Sequence, residues 1–317
     1  MAPIALTPDN GSPERESISV KQVLAQTSDK RAPRRQSSID DCHITLNDGN
    51  KIPQIALGVY KAPNGAETEA AVTAALDSGY RHIDSAARYA NEEACGRAIR
   101  AWLQRTGTPR SEVFVTSKLW DADHGYENTF KALISSLDLF GLDYLDLYLI
   151  HSPAGDDQKR LDSWRALEDA QKLGKVRSIG VSNFGETHLL HLLEQARVVP
   201  AINQIEVHPF LPRNNLVDLC RSKGIHIEAY SPLARGNKLE DERVVAIAKD
   251  TGKTPAQVLL NWSRSRGNIV LPKSMTPARI RSNSEIFDWE LNPEHMAALD
   301  KCAEENYCTG SLHKADD

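Results

Sequence analysis

From Cys42 onward, short apolar runs alternate with longer stretches whose apolar residues recur at helical spacing. The runs read as strands are IALG (55–58), RHID (81–84), VFVTSK (113–118), YLDLYLI (144–150), SIGVS (178–182), AINQIEV (201–207), HIEAY (226–230) and NIVLP (268–272). Between them, Glu67 to Ser78, Glu92 to Arg105, Tyr126 to Phe140, Asp162 to Leu173, Glu186 to Gln195, Asn214 to Ser222 and Glu242 to Arg266 carry the helical period. Eight such βα units predict a single α/β domain, a (β/α)8 TIM barrel. An open doubly wound sheet would normally show a GxGxxG turn after its first strand, and none is present. Ahead of the first strand, HITLNDGNKIPQI predicts a β-hairpin turning at Asp48 and Gly49.

Residues 1–40 lack this regularity. Pro3, Pro8, Pro13 and Pro33 interrupt a polar, low-complexity stretch with no sustained hydrophobic period, which predicts a flexible, disordered tail ahead of a barrel over residues 41–317. Its basic run KRAPRRQSS reads as a solvated charge cluster rather than a modification site at Ser37.

Composition narrows the functional classes. A net charge of −5 and a pI near 6.1 argue against a nucleic-acid partner, because such binding needs a basic face. No run of about 20 apolar residues suggests a membrane span, and the amino terminus lacks the apolar core of a secretory signal. A cytoplasmic protein is expected. Five cysteines without a CxxC pair suit reduced thiols better than a disulfide framework or a metal cage. His188, His191 and Glu194 stand on one helical stretch, but it is rich in leucine and lacks the HExxH order, so no metal is expected.

In a barrel of this kind, functional groups gather at the carboxyl ends of the strands. The second strand ends at Asp84, the third at Lys118 and the fourth at His151, and Tyr89 follows in the loop after the second. A phenol titrates near ~10 and exchanges protons poorly at neutral pH unless its surroundings favour the anion. A lysine beside it would do so, a carboxylate would keep that lysine charged, and a histidine could direct a carbonyl oxygen towards the phenol. Further on, LPKSMTPARIRSN reads from the eighth strand into a helix with Pro277 in its first turn. Lys273, Ser274 and Arg279 there make a candidate anion site.

GYRHIDSAARYANE, TSKLW, LIHSP, GVSNF, NQIEVHP, AYSPL and LPKSMTPARIRSN, taken in this order, resemble the aldo-keto reductase family from about Cys42 to the end. The resemblance implies a catalytic tetrad of Asp84, Tyr89, Lys118 and His151, with Tyr89 as general acid in reduction and general base in oxidation. It implies NADPH as cofactor. Ser182, Asn183 and Gln204 would bind the nicotinamide carboxamide, and Tyr230 would stack on its ring. Ser231 and Leu233 would follow the pyrophosphate, with Gly58 and Val59 bordering the site beside Asp84. Lys273, Ser274 and Arg279 would hold the 2′-phosphate, with Thr276 alongside and Asn283 at the adenine. Ser282 departs from the glutamate many relatives carry there, which removes one adenine contact. The implied substrate is a small-molecule carbonyl compound, and the implied assembly a monomer or weak dimer. Tyr60, Trp120, His151 and Ser152 would line the substrate pocket. Ser152 replaces a tryptophan common in the family, which predicts a wider, more polar pocket tolerant of bulky, hydroxylated or keto-ester compounds. The other reading of such a chain is a sensor or regulatory barrel that binds NADPH without turnover; a metal-dependent hydrolase would need more His and Asp ligands at strand ends.

Overall fold

The computed structural model describes residues 42–310. The tail expected over residues 1–40, including Ser37, lies outside the described residues. β1 (His43–Thr45) and β2 (Lys51–Pro53) form the expected antiparallel hairpin, with Ile44 opposite Ile52. Its turn closes through Leu46 N–H to the Asn50 carbonyl at 2.8 Å, and Gly49 takes the left-handed conformation there (φ 85°).

Eight parallel strands follow in sequential neighbour order: β3 (Leu57–Gly58), β4 (His82–Asp84), β5 (Phe114–Leu119), β6 (Leu145–Ile150), β7 (Val176–Ser182), β8 (Ile202–Glu206), β9 (His226–Tyr230) and β10 (Ile269–Leu271). Bridges from Ile55 to Val270 and from Gly58 to Lys273 bring the first strand back to the last. Backbone hydrogen bonds of 3.0 Å from Ala56 to Val270 and from Gly58 to Pro272 complete the ring. This is the TIM barrel that the alternating pattern predicts.

Ten α-helices lie among the described residues: α1 (Ala66–Asp77), α2 (Glu92–Thr106), α3 (Tyr126–Phe140), α4 (Asp157–Lys172), α5 (Glu186–Leu193), α6 (Asn214–Ser222), α7 (Glu242–Thr251), α8 (Pro255–Ser265), α9 (Pro277–Ser284) and α10 (Pro293–Asp300). The differences from expectation have local causes. α4 begins five residues early because the Asp156 side chain accepts from Lys159 N–H at 2.9 Å, capping a turn whose polar residues hide its period. The single helix expected over Glu242 to Arg266 is two. Gly252 ends α7 in the left-handed region (φ 64°), and Thr254 with Gln257 forms a capping box that starts α8 at Pro255. α10 was not anticipated; Asn292 caps it through His295 N–H at 2.7 Å, with Pro293 in the first position.

Two apolar layers hold the structure. The larger fills the space between strands and helices, where Val115, Tyr148, Ile179, Leu167 and Trp262 are buried. The smaller sits inside the barrel at its amino-terminal end, where Leu147, Leu149, Ile202, Phe114 and Ile269 meet Leu46 and Ile52 from the hairpin. The hairpin is thus a plug. Asn50 fastens it by donating to the Arg177 carbonyl at 3.2 Å and the Ser178 hydroxyl at 3.1 Å. With the lower end filled mainly by apolar side chains, the buried charged groups of the barrel interior stand towards the opposite mouth.

Helices α2 and α3 cross where Gly96 meets the backbone of Phe140. A Cβ at Gly96 would stand 2.6 Å from the Phe140 carbonyl carbon and closer still to its oxygen, both of them backbone atoms. Gly96→Ala is therefore expected to destabilise the protein by about 1–3 kcal/mol despite the higher helix propensity of alanine. Urea denaturation measures it, and an unchanged or raised midpoint would show that the helices can separate without cost.

Candidate active site

The polar interior begins above the plug. Alternate residues of a strand face the same side, so His82 and Asp84 on β4, Thr116 and Lys118 on β5, and Glu228 and Tyr230 on β9 rise in successive tiers. Lys118 is fully buried. Its Nζ donates to Asp84 Oδ1 at 2.7 Å and Oδ2 at 2.8 Å, to the Ser85 carbonyl at 2.8 Å, and lies 3.4 Å from the Tyr89 hydroxyl. Burial alone would pull the ammonium down, but the charge and hydrogen bonds of Asp84, joined by Tyr89 and Glu228 at the high pH where those two ionise, hold Lys118 above the ordinary lysine value. Burial pushes Asp84 up, with Lys118 and the Gln204 amide pulling the other way. With both oxygens accepting from Lys118, the pair is ionic at neutral pH.

Tyr89 stands on a 3-10 turn, Ala87–Tyr89, that ends at Ala90 in the left-handed region (φ 54°). Asn91, which the motif reading passed over, pins that turn. Its Nδ2 donates to the Val59 and Ala62 carbonyls at 2.9 Å each, and its Oδ1 accepts from the Ser85 hydroxyl at 2.7 Å. The sequence reading expected Lys118 to favour the phenolate. Lys118 does pull in that direction, but burial outweighs it and pushes the phenol up to about 12. Tyr89 is therefore a protonated donor across the neutral range. The His151 ring lies edge-on to Tyr89, with centroids 5.7 Å apart, and edge-on to Trp120 at 5.3 Å. All four expected tetrad residues come together.

The carboxamide candidates bind one another. Ser182 donates to the Gln204 carbonyl at 2.8 Å; Asn183, held at φ 61°, donates to the His151 carbonyl at 2.9 Å and accepts from the Tyr230 hydroxyl at 2.7 Å. Gln204 Nε2 donates to Asp84 Oδ2 at 2.8 Å and to Glu228 Oε2 at 2.6 Å. Glu228 is a residue the sequence reading missed. Burial, reinforced by the Asp84 charge and opposed by Gln204 and Lys118, pushes it up to about 8, so it keeps its proton at pH 7. The available signal was an acid two residues before Tyr230 in an otherwise apolar strand. His82, at 3.6 Å from Glu228 and 2.8 Å from Thr116, is driven down to about 3 by burial and is neutral.

Around the rim, Ser231 takes a left-handed conformation (φ 48°) and Leu233 is half-buried. Gly58 and Val59 are buried, with Val59 N–H donating to the Asp84 carbonyl at 3.1 Å. Lys273, Thr276 and Arg279 are exposed, and Ser274 and Asn283 are buried beneath them. Ser274 Oγ accepts from Thr276 N–H at 3.2 Å, shaping the entry into α9. Among the described residues no carboxylate lies within ion-pair distance of Lys273 or Arg279, and no group of three metal-ligating side chains occurs.

Of the expected pocket walls, Tyr60 is 39% exposed and packs on Tyr89 at 5.1 Å, and Trp120 is half-buried beside His151. Ser152 departs from its expected role. It is fully buried; its hydroxyl donates to Asp121 Oδ1 at 2.7 Å and accepts from Ala154 N–H at 3.2 Å, joining the loops after β5 and β6. The polar pocket wall predicted from this serine is therefore not formed by its hydroxyl, which is committed to the loop.

Comparison with known proteins gives a consistent picture. The model of the Aldo/keto reductase family matches residues 54–304. An aldo-keto reductase of Mycolicibacterium smegmatis is 49% identical over 256 residues, covering 81% of this chain and 91% of that one. The crystal structure of an aldo/keto reductase from Brucella melitensis superposes with a TM-score of 0.79 at 45% identity, over 82% of this chain and 98% of that one. An aldo-keto reductase of Bombyx mori, solved in complex with NADP, gives 0.79 at 38% identity, over 85% and 95%.

Because Lys118 is held inside the barrel by one carboxylate, Asp84→Asn strands a buried ammonium. The variant is expected to lose roughly 3 kcal/mol of stability or more. Thermal or urea unfolding at pH 7 measures this; a loss below about 1 kcal/mol would mean that water, not Asp84, solvates Lys118.

Proposed function

Because the chain belongs to the aldo/keto reductase family, whose members are nicotinamide-dependent oxidoreductases of carbonyl compounds, we propose that it uses NADPH to reduce aldehyde or ketone groups of small molecules, with Tyr89 as the proton donor. The observation that carries this reading is the fully buried Asp84–Lys118 ion pair with the Tyr89 hydroxyl 3.4 Å from Nζ. NADPH, when bound, supplies the hydride. The remaining chemistry falls to the chain's own side chains.

A carbonyl oxygen gaining electron density needs a proton at once. Tyr89, with its phenol at about 12, has one to give across the neutral range. The phenolate left behind is met by the Lys118 ammonium, which Asp84 keeps charged. His151, packed edge-on against Tyr89 and against Trp120, stands where it can orient the oxygen from the other side. In the oxidative direction the same phenol must first lose its proton, so oxidation is expected to gain rate as the pH rises towards the phenol's value.

The residues present fit the dinucleotide. Lys273 and Arg279 are exposed cations at the start of α9, without a carboxylate partner among the described residues, and no side chain caps that helix's first turn, whose N–H groups beyond Pro277 can therefore face an anion. A 2′-phosphate would satisfy both. Ser274 and Thr276 would lie beside it and Asn283 at the adenine; Ser231 and Leu233 would flank the pyrophosphate, and Gly58 and Val59 would border the site. Ser182, Asn183 and Gln204 would meet the carboxamide, with Tyr230 against the ring.

Tyr89→Phe is expected to lower kcat on the order of hundredfold or more while NADPH binding, followed by fluorescence titration, is largely retained. Turnover near that of the unmodified enzyme would remove Tyr89 from the mechanism. Arg279→Met is expected to weaken NADPH about tenfold and leave NADH nearly unaffected, because only NADPH offers a phosphate to the guanidinium. Equal losses for the two dinucleotides would place the phosphate elsewhere.

A further inference from the structure

We propose that the mouth of the barrel carries an anion subsite, formed by Arg88 and Lys61, that selects carbonyl substrates bearing a carboxylate; this rests on the reductase reading above. Four aromatic rings make a continuous arc there. Tyr60 lies 5.1 Å from Tyr89, Tyr89 5.7 Å from His151, and His151 5.3 Å from Trp120, centroid to centroid. A cation lies over each outer ring of the arc: Lys61 Nζ is 5.6 Å from the Tyr60 centroid and Arg88 Cζ is 5.2 Å from that of Trp120. The proton donor Tyr89 stands between them.

Both cations are exposed, and among the described residues neither has a carboxylate within ion-pair distance. Elsewhere on the surface many arginines are matched: Arg97 with Glu69 and Glu93, Arg105 with Asp77, Arg197 with Glu168, and Arg243 with Asp241 and Glu305. The acid next to Trp120 in the chain, Asp121, is engaged by the Ser152 hydroxyl. Other basic side chains, Lys131, Lys249 and Arg281 among them, also lack an ion pair; what sets Lys61 and Arg88 apart is that each rests on a ring of the arc that holds Tyr89.

The local backbone explains the placement. Arg88 immediately precedes Tyr89 on the 3-10 turn, and Lys61 immediately follows Tyr60 in a left-handed conformation (φ 60°). A cation resting on a ring face is held in place yet keeps N–H groups turned outward, so less freedom is lost when an anion binds. The edge of a guanidinium can receive a carboxylate through two parallel bonds. A dianion would be better served by converging backbone amides, but those of Tyr89 and Ala90 are spent within the turn, on the Ala86 and Ala87 carbonyls at 2.9 and 3.1 Å. The match is to a singly charged carboxylate.

The test compares 4-carboxybenzaldehyde with methyl 4-formylbenzoate, its uncharged ester, as substrates of the full chain with NADPH at low salt. The unmodified protein is expected to favour the carboxylate in kcat/KM. Arg88→Met should reduce the carboxylate-to-ester ratio roughly fivefold, with a smaller reduction for Lys61→Met, as befits exposed charges. Arg88→Lys should restore most of the ratio. Raising the salt to about 0.5 M should shrink the ratio of the unmodified protein and leave unchanged that of the double variant carrying both Arg88→Met and Lys61→Met. Reduction of both aldehydes with no preference for the carboxylate, or a ratio that stays within about twofold in the double variant, would overturn the subsite alone. Failure to reduce either aldehyde would remove the reductase reading and this inference with it.

Discussion

A primary ammonium fully enclosed by protein is the constraint around which this barrel is arranged. Lys118 cannot be sheltered by water, so every N–H it carries must find an oxygen, and the fold provides them from the ends of β4 and the turn that follows. Asp84 neutralises the charge. Gln204 then occupies Asp84 from the far side of the barrel and in turn meets Glu228, so one buried charge fixes side chains on β4, β5, β8 and β9. The network balances because Glu228 keeps its proton; a second buried negative charge beside Asp84 would be opposed by the same desolvation that lifts it to about 8. Neutral His82, on the tier below, adds no charge of its own.

Stability and chemistry draw on this cluster in opposite senses. Burying ionisable groups generally costs free energy, and packed apolar side chains would fill the same volume more cheaply. The apolar plug at the other end supplies the compensating order. The hairpin seals the barrel floor with Leu46 and Ile52, keeps water from reaching the ion pair from below, and leaves one route of access, through the mouth. A low-dielectric floor also strengthens what Lys118 exerts on Tyr89. The raised phenol suits an acid whose proton is always present.

Much of this was legible in the sequence, for reasons that can be named. Strands alternating with helical stretches predicted the barrel because βα units bury hydrophobic faces in only a few ways, and the strand ends then pointed to Asp84, Lys118 and His151. What escaped was whatever depends on contact across the ring. Nothing local in IHIEAY says that Glu228 faces Gln204, or that Asn91 holds the turn bearing Tyr89; both follow from register, which hydrophobic period does not encode. Ser152 is a related case. Its expected place in the pocket wall came from the tryptophan common in the family at that position, whereas the conformation of the neighbouring loop takes its hydroxyl to Asp121. The break between α7 and α8 was visible in principle, since Gly252, Thr254 and Pro255 are strong punctuation, yet the apolar period runs through it undisturbed.

The seam between the first and last strands has a consequence for how the molecule comes into being. Ile55 must find Val270, and Gly58 must find Lys273, more than two hundred positions away along the chain. During synthesis the amino-terminal strands emerge long before their closing partners exist, so β3 waits with one edge unpaired. The cylinder cannot shut until β10 has left the ribosome. Contacts of such separation make folding slow and late in commitment, since the entropy of closing the largest loop is lost before the seam gives anything back. The unfinished barrel is then the species most exposed to unwanted strand pairing.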